Sequence, residues 1–179
     1  MFNWTEIERF QLDKSVEALS TELKRREIKI ATVESCTGGG VAALFTEFAG
    51  SSIWFDRGFV TYSNQSKIEM VGVSSTTLSR DGAVSEQVAR EMALGGIAHS
   101  DARCALSITG VAGPDGGSET KPVGLVCFGW AGFAQSTPTQ TKYFQGDRQA
   151  VRTQSVIFAV QTAVTLFDIG QSDGTSTTN

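Results

Sequence analysis

The hydrophobic period of this chain switches back and forth between helix-like and strand-like, and that alternation limits the folds open to it more than any other feature. Leu12, Val16, Leu19 and Leu23 recur at spacings of four, three and four, the repeat of one helix face, so Glu6 to Arg26 is predicted to be an amphipathic helix. Ile28, Ile30 and Val33 mark a short strand, Gly38-Gly39-Gly40 a turn, and Val41 to Phe48 a second helix. Ile53 to Tyr62 is rich in aromatic and β-branched residues and reads as a strand. Ser63-Asn64 suggests a turn or cap before a short helix from Gln65 to Val71, and Ser85 caps a helix from Glu86 to Ile97. Strands follow at Arg103 to Ile108, Pro122 to Ala131 and Thr139 to Phe144, and a long helix at Asp147 to Phe167. Helices alternating with strands predict an α/β fold: a three-layer α/β/α sandwich around one central sheet, in a single domain. The two neighbouring strands near the C-terminus predict that the sheet is mixed. Residues 1–168 are assigned to the domain, and 169–179, polar and without core residues, to a disordered tail.

Composition narrows the class. The 179 residues, 40% hydrophobic and 19% charged, suffice for one domain with its own core. No apolar run reaches the roughly 18 residues of a membrane span, and the polar, acidic start is unlike a signal peptide, so a cytoplasmic protein with no membrane partner is expected. The net charge of −4 argues against a nucleic-acid partner, which calls for a basic surface. Lys24-Arg25-Arg26, the longest basic run, sits at a predicted helix end where cations complement the dipole. Cys36, Cys104 and Cys127 lie far apart, odd in number and without a C-x-x-C, which suggests neither a disulfide framework nor a zinc site. No metal and no cofactor is expected.

Four segments have the residue types that chemistry needs. Glu34-Ser35-Cys36-Thr37-Gly38-Gly39-Gly40 lies where a strand ends and a helix begins, the place where ligands bind in open α/β sheets. Its glycines let backbone N–H groups come close to a ligand, so the turn can hold a serine nucleophile beside an oxyanion hole; it can equally be a plain turn with Ser35 or Thr37 as a helix cap. It matches neither G-x-S-x-G nor the phosphate-binding G-x-x-x-x-G-K-[ST], and G-x-G-x-x-G is absent, which leaves a dinucleotide oxidoreductase the weakest reading. Tyr62 and Lys67 flank a second turn and bring a phenol and an amine to one site if it folds back toward Ser35. The glycine-rich run from Thr109 to Gly117 is long enough to be a binding loop. In Gly146-Asp147-Arg148, Asp147 looks like a helix cap, and Arg148 opposes the helix dipole unless it serves an anion or pairs with Asp147 or Glu47.

Together, Glu34-Ser35-Cys36-Thr37-Gly38-Gly39, Gly58-Phe59-Val60-Thr61-Tyr62-Ser63-Asn64, Gly82-Ala83-Val84-Ser85, Thr109 to Gly117 and Lys121-Pro122-Val123-Gly124 resemble the nicotinamide-nucleotide amidohydrolase (PncC) family, which is also the C-terminal domain of the competence-associated protein CinA. The resemblance runs from about Leu12 to Phe167. It implies an α/β/α homodimer that hydrolyses nicotinamide mononucleotide to nicotinate mononucleotide and ammonia. It places the nucleophile at Ser35, a catalytic tyrosine at Tyr62, the catalytic lysine at Lys67, a backbone contact at Thr109-Gly110 and the phosphate-binding arginine at Arg148; Val111 stands where isoleucine is frequent. The larger CinA proteins carry a further N-terminal domain, for which this chain is expected to have no room.

The chemistry is consistent on its own terms. His99, the one histidine, is predicted at a helix end beside Asp101, away from the strand ends, so lysine is the natural base for a serine. It must be neutral, and burial together with a neighbouring cation, such as the pyridinium of the substrate, lowers its pKa. Ser35 then attacks the carboxamide, Lys67 takes its proton, Tyr62 orients or relays it, backbone N–H groups of Thr37, Gly38 and Gly39 hold the oxyanion, and Thr109, Gly110, Val111 and Arg148 bind substrate. The rival readings are a non-catalytic nucleotide-binding module and an amidase for another small amide.

Overall fold

The first helix starts where the chain caps it. In the computed structural model, which describes residues 2 and 4–172 and the backbone alone for 168–172, Thr5 and Glu8 form a reciprocal capping box that opens α1, Glu6–Arg25. Strand β1, Ile30–Glu34, is buried along its whole length. It leads through the glycine turn into α2, Gly40–Thr46. A single 3-10 turn, Ser51–Ile53, precedes β2, Phe55–Val60. Next come α3, Asn64–Val71, α4, Ser75–Asp81, and α5, Glu86–Ala98, capped by Ser63, Ser74 and Ser85 respectively. Strands β3, Cys104–Gly110, β4, Leu125–Ala131, and β5, Thr139–Tyr143, lead to α6, Arg148–Ser172.

The sheet order is β2-β1-β3-β4-β5. β1 runs parallel to β2 and β3, while β4 runs antiparallel to β3 and β5. The expected three-layer α/β/α sandwich with a mixed sheet is therefore the fold. One face is covered by α1, α2 and α6. There Ile30, Leu106, Ile108, Val126, Phe128 and Trp130 meet Leu19, Phe45, Val156 and Val160, all buried. The other face carries α3, α4 and α5, with Val33, Val71, Leu78, Val88 and Met92 buried against it. Alternation along β1 sends Ile30 to the first face and Val33 to the second. Each such fully buried side chain contributes about 1.5–3 kcal/mol.

Three expectations change. α4 lies in a stretch read as irregular: its Ser-Thr-Thr start has weak helix preference, but Ser74 caps it and Leu78 anchors it in the core. β4 starts at Leu125 rather than Pro122, after Gly124 in the left-handed region (φ +92°). α6 continues past the expected domain limit, so 169–172 are helical; adding residues to an existing helix is easier than starting one. The remainder of the expected tail, 173–179, lies outside the described residues. By length and composition alone α6 meets the measure of a bilayer-crossing helix, but Val151, Val156, Ala159, Val160, Ala163 and Phe167 bury its apolar face in the core.

Candidate active site

The turn that carries Ser35 is shaped by a carboxylate that never reaches solvent. Glu34, the last residue of β1, is fully buried. It accepts hydrogen bonds from Thr37 Oγ1 (2.7 Å), Val41 N (3.1 Å) and Ala42 N (3.0 Å), so a negative charge satisfies the N-terminus of α2 from within. Gly38 (φ +62°) and Gly39 (φ +90°) supply the left-handed backbone that lets the chain double back. Ser35 N still continues the sheet, donating to Ile108 O at 2.9 Å, but Ser35 O leaves it to accept from Gly38 N at 3.1 Å.

Lys67 reaches the same point from α3. Its aliphatic stem is buried and the residue is 1% exposed. Nζ lies 3.1 Å from Ser35 Oγ, and donates to Thr61 O at 2.7 Å and more weakly to Tyr62 O at 3.4 Å. Burial lowers its pKa from the ordinary 10.5 to about 8. A neutral amine has two N–H bonds and one lone pair. Charged, Lys67 Nζ donates to the serine hydroxyl as well; neutral, with both N–H groups on the two carbonyls, it would turn its lone pair to that hydroxyl.

These groups open on a cavity of about 260 Å³. Ser35, Cys36, Tyr62 and Lys67 line it together with Ala83, Val84, residues 109–113 and Arg148. Thr109 Oγ1 donates to Ala83 O (2.8 Å), tying β3 to the turn before α5. Arg148, first residue of α6, donates to Gly113 O (2.8 Å) and to the Tyr62 hydroxyl (3.2 Å). Asp147 caps α6 through Ala150 N (2.8 Å), and Glu47 pairs with Arg9, so neither acid holds Arg148. Burial pushes the Cys36 thiol up to about 12, which keeps it protonated beside the serine.

The structure thus brings Ser35, Tyr62, Lys67, Thr109, Gly110, Val111 and Arg148 around one cavity. It does not bring Thr37, Gly38 and Gly39 to the wall. The hydroxyl of Thr37 goes to Glu34, and the N–H of Gly38, one of the donors expected to face a ligand, closes the turn onto Ser35. The phenol of Tyr62 points at Arg148; only its carbonyl meets Lys67. His99 caps α5, its Nδ1 3.0 Å from Gly95 O. Sequence reading missed Cys36, Ala83 and Val84 as cavity walls. The signal available for them was adjacency: Cys36 follows the serine, and Ala83-Val84 follow Gly82, a turn residue (φ +72°).

The profile of the CinA C-terminal domain matches residues 12–167. The nicotinamide-nucleotide amidohydrolase PncC of Enterobacter agglomerans is 52% identical over 159 residues, covering 87% of this chain and 97% of the relative. PncC of Escherichia coli K12 is 51% identical over 158 residues, covering 88% and 94%. Among solved structures, the competence/damage inducible protein CihA of Agrobacterium tumefaciens superposes with a TM-score of 0.83 at 38% identity, over 93% of this chain and 98% of that one. A profile that spans nearly the whole domain and relatives aligned almost end to end lead to one conclusion: the chain belongs to the CinA C-terminal domain family.

Proposed function

We propose that this protein hydrolyses the carboxamide of nicotinamide mononucleotide, giving nicotinate mononucleotide and ammonia, with Ser35 as nucleophile and Lys67 as general base. The observation that carries the reading is the 3.1 Å approach of a buried lysine amine to the hydroxyl of Ser35. The names of the half-identical relatives, nicotinamide-nucleotide amidohydrolases, supply the substrate.

Ser35 Oγ attacks the carboxamide carbon while Lys67 Nζ takes its proton. The tetrahedral oxyanion lies against the N–H of Cys36 and of Gly110. Val111 N donates to Leu125 O, so strand alternation turns the neighbouring Gly110 N–H toward β1, where Ser35 has left the ladder. A donor of this kind is worth about 3–4 kcal/mol of barrier. The Lys67 ammonium returns its proton to the leaving nitrogen, and ammonia departs. Water, deprotonated by the same amine, then cleaves the acyl-serine and releases the carboxylate. Arg148 holds the phosphate, with the phenol of Tyr62 steadying its guanidinium. The fixed positive charge of the pyridinium, next to Lys67, favours the neutral amine further. A cytoplasmic location and a homodimer complete the reading, both carried by the family resemblance.

Ammonia release from nicotinamide mononucleotide tests it. Ser35→Ala and Lys67→Met are each expected to lose at least ~10³-fold in kcat with an unchanged circular dichroism spectrum. Near-native turnover in either folded variant rejects the dyad. Binding of the mononucleotide without ammonia release by the native chain leaves a nucleotide-binding module instead, and equal turnover of free nicotinamide removes the role given to Arg148.

A further inference from the structure

Arg152 stands one helical turn after Arg148 on α6, yet it points elsewhere. Its Nη2 donates to Thr37 O at 2.9 Å, inside the nucleophile turn and 115 residues away in sequence. Its guanidinium lies over the Phe2 ring, 4.7 Å from the ring centre. Its Nε is buried without a partner. The other bonds on the turn are either local, Glu34 to Thr37, Val41 and Ala42 and Gly38 to Ser35, or run to the sheet and α3, Ser35 N to Ile108 O, Thr61 N to Glu34 O and Lys67 Nζ at Ser35 Oγ. They fix its shape and hold it to β3 and α3, but none of them reaches α6. The link from Arg152 does, and the same helix brings Arg148 to the cavity lining.

We infer that Arg152 is a positioning residue, which sets the position of Ser35 against the substrate anchor Arg148. Two arginines four residues apart on one rigid helix are separated by ~6 Å along its axis. One fixes the turn that carries the nucleophile and the other meets the substrate's anionic end, so α6 gauges the span between cleaved amide and phosphate. Burial of an unpartnered Nε costs stability; a guanidinium held that way is placed for the turn rather than for solvent. The inference rests on Ser35 being the nucleophile.

The test separates positioning from binding. Arg152→Met and Arg152→Lys are assayed with nicotinamide mononucleotide, and Ser35 is titrated with a small fluorophosphonate that has no phosphate anchor to find. Misplacing a nucleophile by about an ångström costs on the order of 10²-fold, so kcat and the rate of Ser35 phosphonylation are expected to fall together by about 10- to 100-fold, with KM within about twofold of native. Guanidinium added to Arg152→Ala is expected to restore part of the phosphonylation rate. If Arg152→Met melts below the assay temperature, Arg152→Lys, which keeps a cation over Phe2, carries the comparison. A rise in KM alone, or native phosphonylation rates in folded variants, overturns the inference and leaves the Ser35–Lys67 reading standing. A native protein whose Ser35 resists the reagent overturns that reading and the inference with it.

Discussion

Lys67 occupies a position that disfavours its own charge, and this has two measurable effects. As the proposed base it must be neutral, and burial holds its pKa near 8, so kcat/KM for ammonia release is expected to rise about tenfold per pH unit below that value and level off above it. In the complex the pyridinium lowers the amine further, and the limb in kcat is expected at lower pH than the limb in kcat/KM. Coincident limbs would mean that the substrate's charge does not act on Lys67. The second effect is on stability. The folded pKa lies below the unfolded value, so the unfolded chain binds the extra proton between about pH 8 and 10.5 and stability rises with pH across that window. Below pH 8 the full penalty applies. The displacement from 10.5 to about 8 is worth ~3 kcal/mol, and losing the bond to Thr61 O returns ~1 kcal/mol of it. Lys67→Met is therefore expected to abolish turnover yet gain about 1–2 kcal/mol in urea melts at pH 7, a gain that vanishes near pH 10.5. Turn residues at strand ends singled out Ser35, Lys67 and Arg148 but left each with an ordinary structural reading; the family resemblance was what grouped them, and they do line one cavity. The direction of the Tyr62 phenol was not, since a side chain leaving a strand end takes its bearing from partners far along the sequence, here Arg148.

At the level of elements, termini and crossings decide the layout. Glu34 ends β1 and accepts three hydrogen bonds, two from the N–H groups of Val41 and Ala42 at the start of α2 and one from the Thr37 hydroxyl. Glu34→Gln keeps the shape but sets an amide NH₂ against backbone N–H groups, and is expected to cost about 2–3 kcal/mol and, by loosening the turn, to lower kcat more than it raises KM. Equilibrium denaturation with steady-state kinetics checks both. The crossing of α3 and α5 depends on Gly95, where a Cβ would lie 1.9 Å from Val71 O. Gly95→Ala must push the helices apart and is expected to cost more than ~2 kcal/mol, read as a lower melting temperature. Strong periodicity made α1, α5 and the three-strand C-terminal run readable from the chain alone. The glycine turn was readable as a turn, but not the use of its donors: the Gly38 N–H expected to await a ligand serves Ser35 O instead, while Glu34 accepts from the Thr37 hydroxyl three positions on and closes the turn on itself. α4 was missed because only Leu78 marks its buried side.

Over the whole molecule, α1, α6 and one sheet face share a single apolar cluster. Truncation far from the cavity should thus weaken everything at once. Leu19→Ala is expected to cost about 2–5 kcal/mol and to shift the urea midpoint, with the slope and the KM of the folded enzyme unchanged. Two different transitions by fluorescence and by activity would show instead that the halves melt apart. The strand order adds a temporal consequence. East of β3, so to speak, the chain returns on itself through β4 and β5 with short excursions; on the other side it must travel over helices before β1 can meet β2 and β3. Distant pairings close later than near ones, and the proposed Ser35–Lys67 dyad sits on that slower flank. During refolding, helical signal should return ahead of the competence of Ser35 to be acylated, which makes chemistry the last property this protein regains.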